Sequence, residues 1–468
     1  MKVNKIIGLM AGTTSSQLVA ILGLPFLSRL YDPAAFGLFA TFSVIVTIAL
    51  SISTLRYDLA IPLTKSRACA RVVFNLSFLV LAFSSTLVLV LICIYSYIAK
   101  YIGLEAMELT ILLSVPLTLL VMGAMQIARS WFVYDLKIKY VFYIQFFGAL
   151  AGFGLQILCS IIFDGNAKGL VIGQLVGLSI STIFILNVGR VFQYSLNRKF
   201  IKYSRLVAVS KRFIELPKNV FQTNFLNSFS NAFLPLLFAI FYNYEIVGIV
   251  FLTQKVISFP VSVVSSSIWQ LVHSTLPMKG HTERRIIIAS IHKFMCLLWF
   301  FLLLLVVSLR DLIPIVFGSE WKDMVYIIPA FTVLAMFRSI SNSTSYFAVY
   351  AEYKSESYWN IFLAVVTIVS VLFGTMFFTE YLAIKFFAGS LALFYFSLNM
   401  YWGMKLKLVK SFINNFIKYI LPSVFLLLMI EVIDLTIVQR VIVCFLLFLL
   451  VSVFGFLNLK NIKKYING

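Results

Sequence analysis

Charge is what this chain has least of. Of its 468 residues only 12% are Asp, Glu, Lys or Arg, where a soluble domain carries about 25%. Hydrophobic residues make up 61% and the mean hydropathy is +1.00. So little charge excludes an ordinary water-covered surface. Apolar runs of roughly 20 residues recur along the chain, the length a helix needs to cross a bilayer, and barrel strands would be about half as long. The expectation is an all-α polytopic membrane protein with about fourteen transmembrane helices.

Acids, histidine and cysteine are also scarce. Asp and Glu total 17 against 38 Lys and Arg, a net charge of +21. A nucleic-acid partner is not needed to explain that excess. Most basic residues fall in alternate loops, the pattern that holds Lys and Arg on the cytoplasmic face, with both termini on that side. The same face is expected to adhere to the anionic lipid of the phospholipid membrane. The five cysteines form no C-x-x-C pair and read as small apolar residues. His273, His281 and His292 read as residues at or near one inner loop, with no H-E-x-x-H spacing. There is no G-x-x-x-x-G-K-[S/T] phosphate loop and no outer segment large enough for a catalytic domain. No metal site, cofactor or enzymatic activity is expected. The first apolar run is too long for a signal h-region and is expected to remain as a helix.

Helices are predicted at about 6–28, 36–55, 72–99, 109–128, 140–163 and 169–188. A basic stretch follows, Arg190 to Lys218, with Arg198, Lys199, Lys202, Arg205, Lys211 and Arg212 against the single acid Glu215. It reads as a cytoplasmic hinge. A second series is predicted at about 220–242, from 246, then about 294–317, 324–350, 358–378 and 381–404, and a last pair at about 417–432 and 437–457. The domains expected are therefore 1–189, the linker 190–218, 219–404 and 405–468. Residues 56–71 are taken as an inner loop. The outer loop 318–323 carries Trp321, a residue type common at membrane interfaces.

The two series echo each other. Tyr31-Asp32 and Phe36-Gly37-Leu38-Phe39 recur 211 residues later as Tyr242-Asn243 and Val247-Gly248-Ile249-Val250. In both copies a polar-faced helix precedes the match. An even number of spans separates them, so both copies have one orientation, the parallel-repeat plan of many transporters.

Ionisable groups at depth are the candidate functional residues. Lys255 and Arg338 fall near the middle of predicted helices, where a charge costs roughly 3 kcal/mol on insertion scales. No Asp or Glu lies deep in any predicted span. An external anion is then the simplest compensation, although Arg338 bonded to carbonyls or Lys255 snorkelling along its helix would also serve. Arg29 and Lys385 lie nearer the outer surface and either join this cationic set or snorkel. Gln17 on the first helix, Asn224, Asn227 and Asn231 on the seventh and Asn342 on the tenth form polar faces, read as interhelical bonding or as the lining of a shared cavity.

Arg29-Leu30-Tyr31-Asp32-Pro33, Phe36-Gly37-Leu38-Phe39 and Arg56-Tyr57-Asp58-Leu59-Ala60-Ile61 resemble the start of polysaccharide-biosynthesis membrane proteins, the Wzx-type O-antigen and exopolysaccharide flippases. Gly248 with Pro260 and Gly318-Ser319-Glu320-Trp321 agree in the second half. The resemblance implies two pseudo-symmetric six-helix lobes in a V around a cavity, plus a C-terminal helix pair. It implies a bacterial inner membrane and an undecaprenyl-pyrophosphate-linked oligosaccharide, moved from the cytoplasmic to the periplasmic leaflet by alternating access. A polysaccharide polymerase and a chain-length regulator would be partners in that lipopolysaccharide or exopolysaccharide assembly. A pyrophosphate would supply the anion that the deep cations lack. The alternatives are a multidrug antiporter of the same fold, a membrane enzyme such as an O-antigen polymerase, and a scaffold for the assembly complex. The drug exporters typically use membrane carboxylates, and none is evident here.

Overall fold

The structure is a computed structural model, and it describes residues 3–102, 108–189, 202–221, 225, 228–229, 234–276, 280–343, 347, 349–350, 352–422 and 424–425. The described chain is helical, and nine of its helices are long and apolar enough to cross a membrane. It is a multi-pass, all-α membrane protein. It divides into two compact units, Met1–Phe259 with Glu356–Val371, and Pro260–Ser355 with Leu372–Gly468.

The first unit is built from α1 (Val3–Leu30), α2 (Pro33–Ser53), α3 (Arg67–Ile102), α4 (Leu109–Tyr134), α5 (Ile138–Ile162) and α6 (Ala167–Val188). It also holds α7 (Tyr203–Arg212), α8 (Leu234–Phe241) and the part of α9 (Tyr244–Thr275) up to Phe259. The α1–α2 turn is closed by Asp32, whose Oδ1 accepts from the Ala35 amide at 2.7 Å, with Pro33 in the first turn where its missing N–H costs nothing. A tight turn at Asp164 and Gly165, both at positive φ, reverses α5 into α6. Those two helices then lie backbone to backbone, because Gly173 faces Gln156 and Gly177 faces Gly152 with no room for a Cβ. Close approach through small residues replaces the hydrophobic drive that lipid cannot provide. The core of this unit gathers around Phe74, Trp131 and Phe132, with Phe74 edge-on to Trp131 at 5.2 Å.

The second unit contains the rest of α9, then α10 (His281–Leu309), α11 (Met324–Ser343), part of α12 (Tyr353–Phe377), α13 (Glu380–Lys405) and α14 (Val409–Asn415). Helices α11 and α13 run parallel. Tyr326 meets Tyr381 near their starts and Phe337 meets Phe396 about three to four turns on.

The structure corrects several boundaries and readings. The supposed inner loop 56–71 holds a folded 3-10 segment, Tyr57–Leu63, and α3 begins at Arg67. Helix α4 continues through Arg129 to Tyr134. Within the hinge, Tyr203–Arg212 is an amphipathic helix, while 190–201 lie outside the described residues. Helix α10 starts at His281, thirteen residues before the predicted start at 294. The histidines are therefore helical: His273 lies in α9, His281 opens α10, and His292 is fully buried within it. Trp321 is buried within the protein. Gly318 at φ +110° reverses the chain and turns the indole inward to full burial. Helix α14 starts at Val409 inside the predicted inner loop, and most of the predicted last helix pair lies outside the described residues.

Candidate functional site

The repeat seen in the sequence is a physical contact. Asn243 stands 211 residues after Asp32 and does the same work, its Oδ1 accepting from the Ile246 amide at 3.0 Å at the start of α9. The two glycines of the repeat face each other's helices. A methyl group on Gly37 would collide with the Tyr244 carbonyl, and one on Gly248 with the Pro33 carbonyl. Pro33 and Tyr244 are themselves 211 residues apart, so the contact is reciprocal, like an interface between two copies related by a two-fold axis. One turn on, Phe39 meets Phe251 edge-on at 6.1 Å.

Lys255 belongs to this seam. It follows Gly248 by seven residues and Phe251 by four, so it shares the helix face that α9 turns toward α2. Its Nζ lies 5.1 Å from the centre of the Phe251 ring. The side chain is exposed. Among the described residues no carboxylate pairs with it. In the same unit Arg29 is exposed in the last turn of α1, and Gln17 is exposed three turns earlier. Asn224, Asn227 and Asn231 lie outside the described residues.

Arg338 lies in the second unit, on α11 and half-buried, within electrostatic reach of Tyr395 on α13. Its surroundings are polar for a membrane interior. Trp299 Nε1 donates to Ser339 Oγ at 2.5 Å, and Asn399 Nδ2 donates to the Tyr395 carbonyl at 2.9 Å and the Phe337 carbonyl at 3.4 Å. Asn342, one turn beyond Arg338, is exposed. Lys385 is half-buried near the start of α13 and precedes Tyr395 by ten residues, roughly 15 Å along the helix axis. The structure thus groups Arg338 with Tyr395 and Asn399 and sets Lys385 at another level.

A further polar centre escaped the sequence reading. Asp58, in the 3-10 segment after α2, is 1% exposed. It accepts from Thr54 Oγ1 at 2.6 Å and from Gln126 Nε2 of α4 at 2.9 Å. Arg129, one turn beyond Gln126, feels its charge. Hydropathy could not reveal this carboxylate, because it lies just past the end of an apolar run. The signal that could have found it was its place in Arg56-Tyr57-Asp58. Asp58→Ala leaves both donors without an acceptor and Arg129 without its counter-charge. The expected cost is about 3 kcal/mol, read as a lower thermal unfolding midpoint of the purified protein. Asp58→Asn keeps an acceptor and is expected to lose less.

These elements define a class, the polytopic helical fold of multidrug exporters and lipid flippases. The chain is similar to lipid II flippase MurJ in an inward closed conformation, at 16% identity and TM-score 0.60, over 97% of each chain. It is similar to a multidrug resistance MATE family transporter of the MOP superfamily in an inward-facing conformation, at 13% identity and TM-score 0.57, over 88% of this chain and 96% of that one. A mutant of the Vibrio cholerae MATE transporter VcmN aligns at 14% identity and TM-score 0.54, over 88% and 97%. At such identities the likeness is one of fold. No curated protein matches the sequence. Residues 26–326 match the polysaccharide biosynthesis proteins, and the chain belongs to that family.

Proposed function

We infer that this protein is a flippase for a lipid-linked oligosaccharide, carrying an undecaprenyl-pyrophosphate-linked O-antigen or exopolysaccharide repeat unit from the cytoplasmic to the periplasmic leaflet of a bacterial inner membrane. Membership of the polysaccharide biosynthesis family and the shared fold support the reading. Lys255 is the observation that carries it. An ammonium group midway along an apolar helix, on the face that meets α2 and with no described carboxylate partner, is expensive to keep. A phosphorylated cargo compensates that cost whenever it binds, and a cationic drug would aggravate it.

In this reading Lys255 and Arg338 neutralise the pyrophosphate. Arg29 and Lys385 attract the anion nearer the surface. Gln17, Asn342 and the asparagines at 224, 227 and 231 offer hydrogen bonds to sugar hydroxyls. The prenyl tail stays in lipid, and the site is exposed to the two leaflets in turn. The chain performs no covalent chemistry, and a polymerase with its chain-length regulator takes the product outside. The buried Asp58 keeps a second reading open, a multidrug antiporter coupled to a cation through a carboxylate. Each of its oxygens already accepts a hydrogen bond, from Thr54 and from Gln126, which favours a structural part.

Deletion of the gene with lipid analysis tests the function. Lipid-linked single repeat units are expected to accumulate on the inner leaflet, and accumulation on the outer leaflet would instead indicate a polymerase. At matched expression Arg338→Ala is expected to lose at least about nine-tenths of export, with Arg338→Lys retaining more because the charge survives. Normal export in the alanine variant would remove Arg338 from the site.

A further inference from the structure

A second cationic site stands apart from the residues proposed to meet the cargo. Helices α10 and α14 of the second unit lie side by side and run in the same direction. His292 stacks on Phe412 at 3.8 Å and meets Phe416 edge-on at 5.2 Å, which fixes their register. A cleft of about 410 Å³ opens between them. Arg285 and Lys293, two turns apart on one face of α10, supply its charge, and Thr282 and Ser411 supply hydroxyls. Among the described residues no carboxylate lines it.

Arg285 is held in place. Arg285 Nη2 donates to the Lys407 carbonyl at 3.0 Å, which ties the guanidinium to the chain just before α14. Its Nε is buried with no acceptor among the described residues, a donor left idle at a cost of about 1–3 kcal/mol unless something fills the cleft. Lys293 is half-buried beside the like charge of Lys418. Two cations line a cavity with no acid among its described residues, and a third stands beside Lys293, so the arrangement favours an anion.

We propose that the α10–α14 cleft binds a phosphate group, with Arg285 and Lys293 as its charged ligands and Thr282 and Ser411 as hydroxyl donors. The geometry favours the phosphodiester of an anionic phospholipid over a soluble phosphate. The cleft lies along the first turns of a helix that is apolar enough to cross the membrane, and cations beside such a span favour anionic lipid. Ile286, 56% exposed on the same wall, offers an apolar flank along which an acyl chain can lie. A lipid bound there would fasten the start of α14 to α10. The site does not depend on the flippase reading, because none of its residues is assigned to the cargo.

Native mass spectrometry of the full-length protein in detergent, titrated with phosphatidylglycerol or phosphatidylcholine, tests it. The wild type is expected to retain phosphatidylglycerol preferentially. Lys293→Gln is expected to weaken that retention about fivefold, and Ser411→Leu, which fills the cleft without touching a charge, to weaken it as well. Lys211→Gln, on the exposed basic face of α7, is the control for general surface charge and should leave retention unchanged. Millimolar inorganic phosphate is expected not to displace the lipid. Displacement by phosphate would uphold the anion site and assign it to a soluble ligand. Equal retention in the wild type, Lys293→Gln and Ser411→Leu, or an equal loss in Lys211→Gln, overturns the proposal.

Discussion

Gly248→Val is expected to abolish export while the protein still reaches the membrane. The Cβ of any other residue at this position meets the Pro33 carbonyl, a backbone atom that cannot swing aside. Helices α2 and α9 must then separate by a substantial part of an ångström or more, and the branched valine adds to the strain. Gly248→Ala is expected to fail in the same direction, as is Gly37→Ala, whose Cβ meets the Tyr244 carbonyl. The size of the effect follows from the reciprocity of the contact. Each glycine receives the other helix's first turn, so one methyl group disturbs both crossings. Gly154 on α5 has nothing within 4 Å of a Cβ and is the control. Gly154→Ala should leave export intact and stability equal or slightly higher, since alanine favours a helix over glycine by about 1 kcal/mol. Export measured by surface polysaccharide, with membrane abundance measured alongside, separates the outcomes. Wild-type export in Gly248→Ala would mean that the close crossing has no part in transport.

Lys255→Gln is expected to raise stability and lower transport together. Removing a charge from the middle of an apolar helix spares roughly 3 kcal/mol of insertion cost, so the purified variant should unfold at a higher temperature. Transport of a pyrophosphate-bearing lipid should fall at least about tenfold, the factor that 1.4 kcal/mol of lost binding produces. Lys255→Arg keeps the charge and should retain much of the activity. A merely structural lysine, snorkelling along α9 to water, predicts a different pattern, with little change in either quantity. The opposite movement of stability and transport identifies a group kept at a cost for its function.

Much of this fold was legible because a bilayer imposes one simple rule, that a helix must present about 20 apolar residues. The rule locates where lipid ends and is silent about where hydrogen bonding ends. That is why α10 begins at His281 and not at the predicted 294, and why α4 runs on through Arg129 to Tyr134. Charged side chains stop a membrane span without stopping a helix. The repeat was legible from six or so residues because turn and crossing chemistry restrict identity strongly. An Asx residue caps each helix start, and only glycine fits each crossing. Burial at chain reversals was not legible. Trp321 enters the core because Gly318 adopts φ +110°, and Asp58 is buried because a 3-10 segment folds back onto α4. Both depend on backbone geometry that hydropathy does not record. Among the candidate cations, Lys255 falls on the Gly248 face of α9, whereas Lys385 lies at another level from Arg338, a matter of register that no single-helix reading contains.

Reconstituted transport gives the most direct measurement. The purified chain would be placed in sealed vesicles with a prenyl-pyrophosphate-linked oligosaccharide in the inner leaflet, and the appearance of sugar outside followed with a membrane-impermeant glycosidase. The account predicts cleavage that requires the protein, is lost in Lys255→Gln, and is competed by a soluble prenyl pyrophosphate but not by a neutral prenyl glycoside. Equal rates with empty vesicles, or transport indifferent to the pyrophosphate, would contradict it.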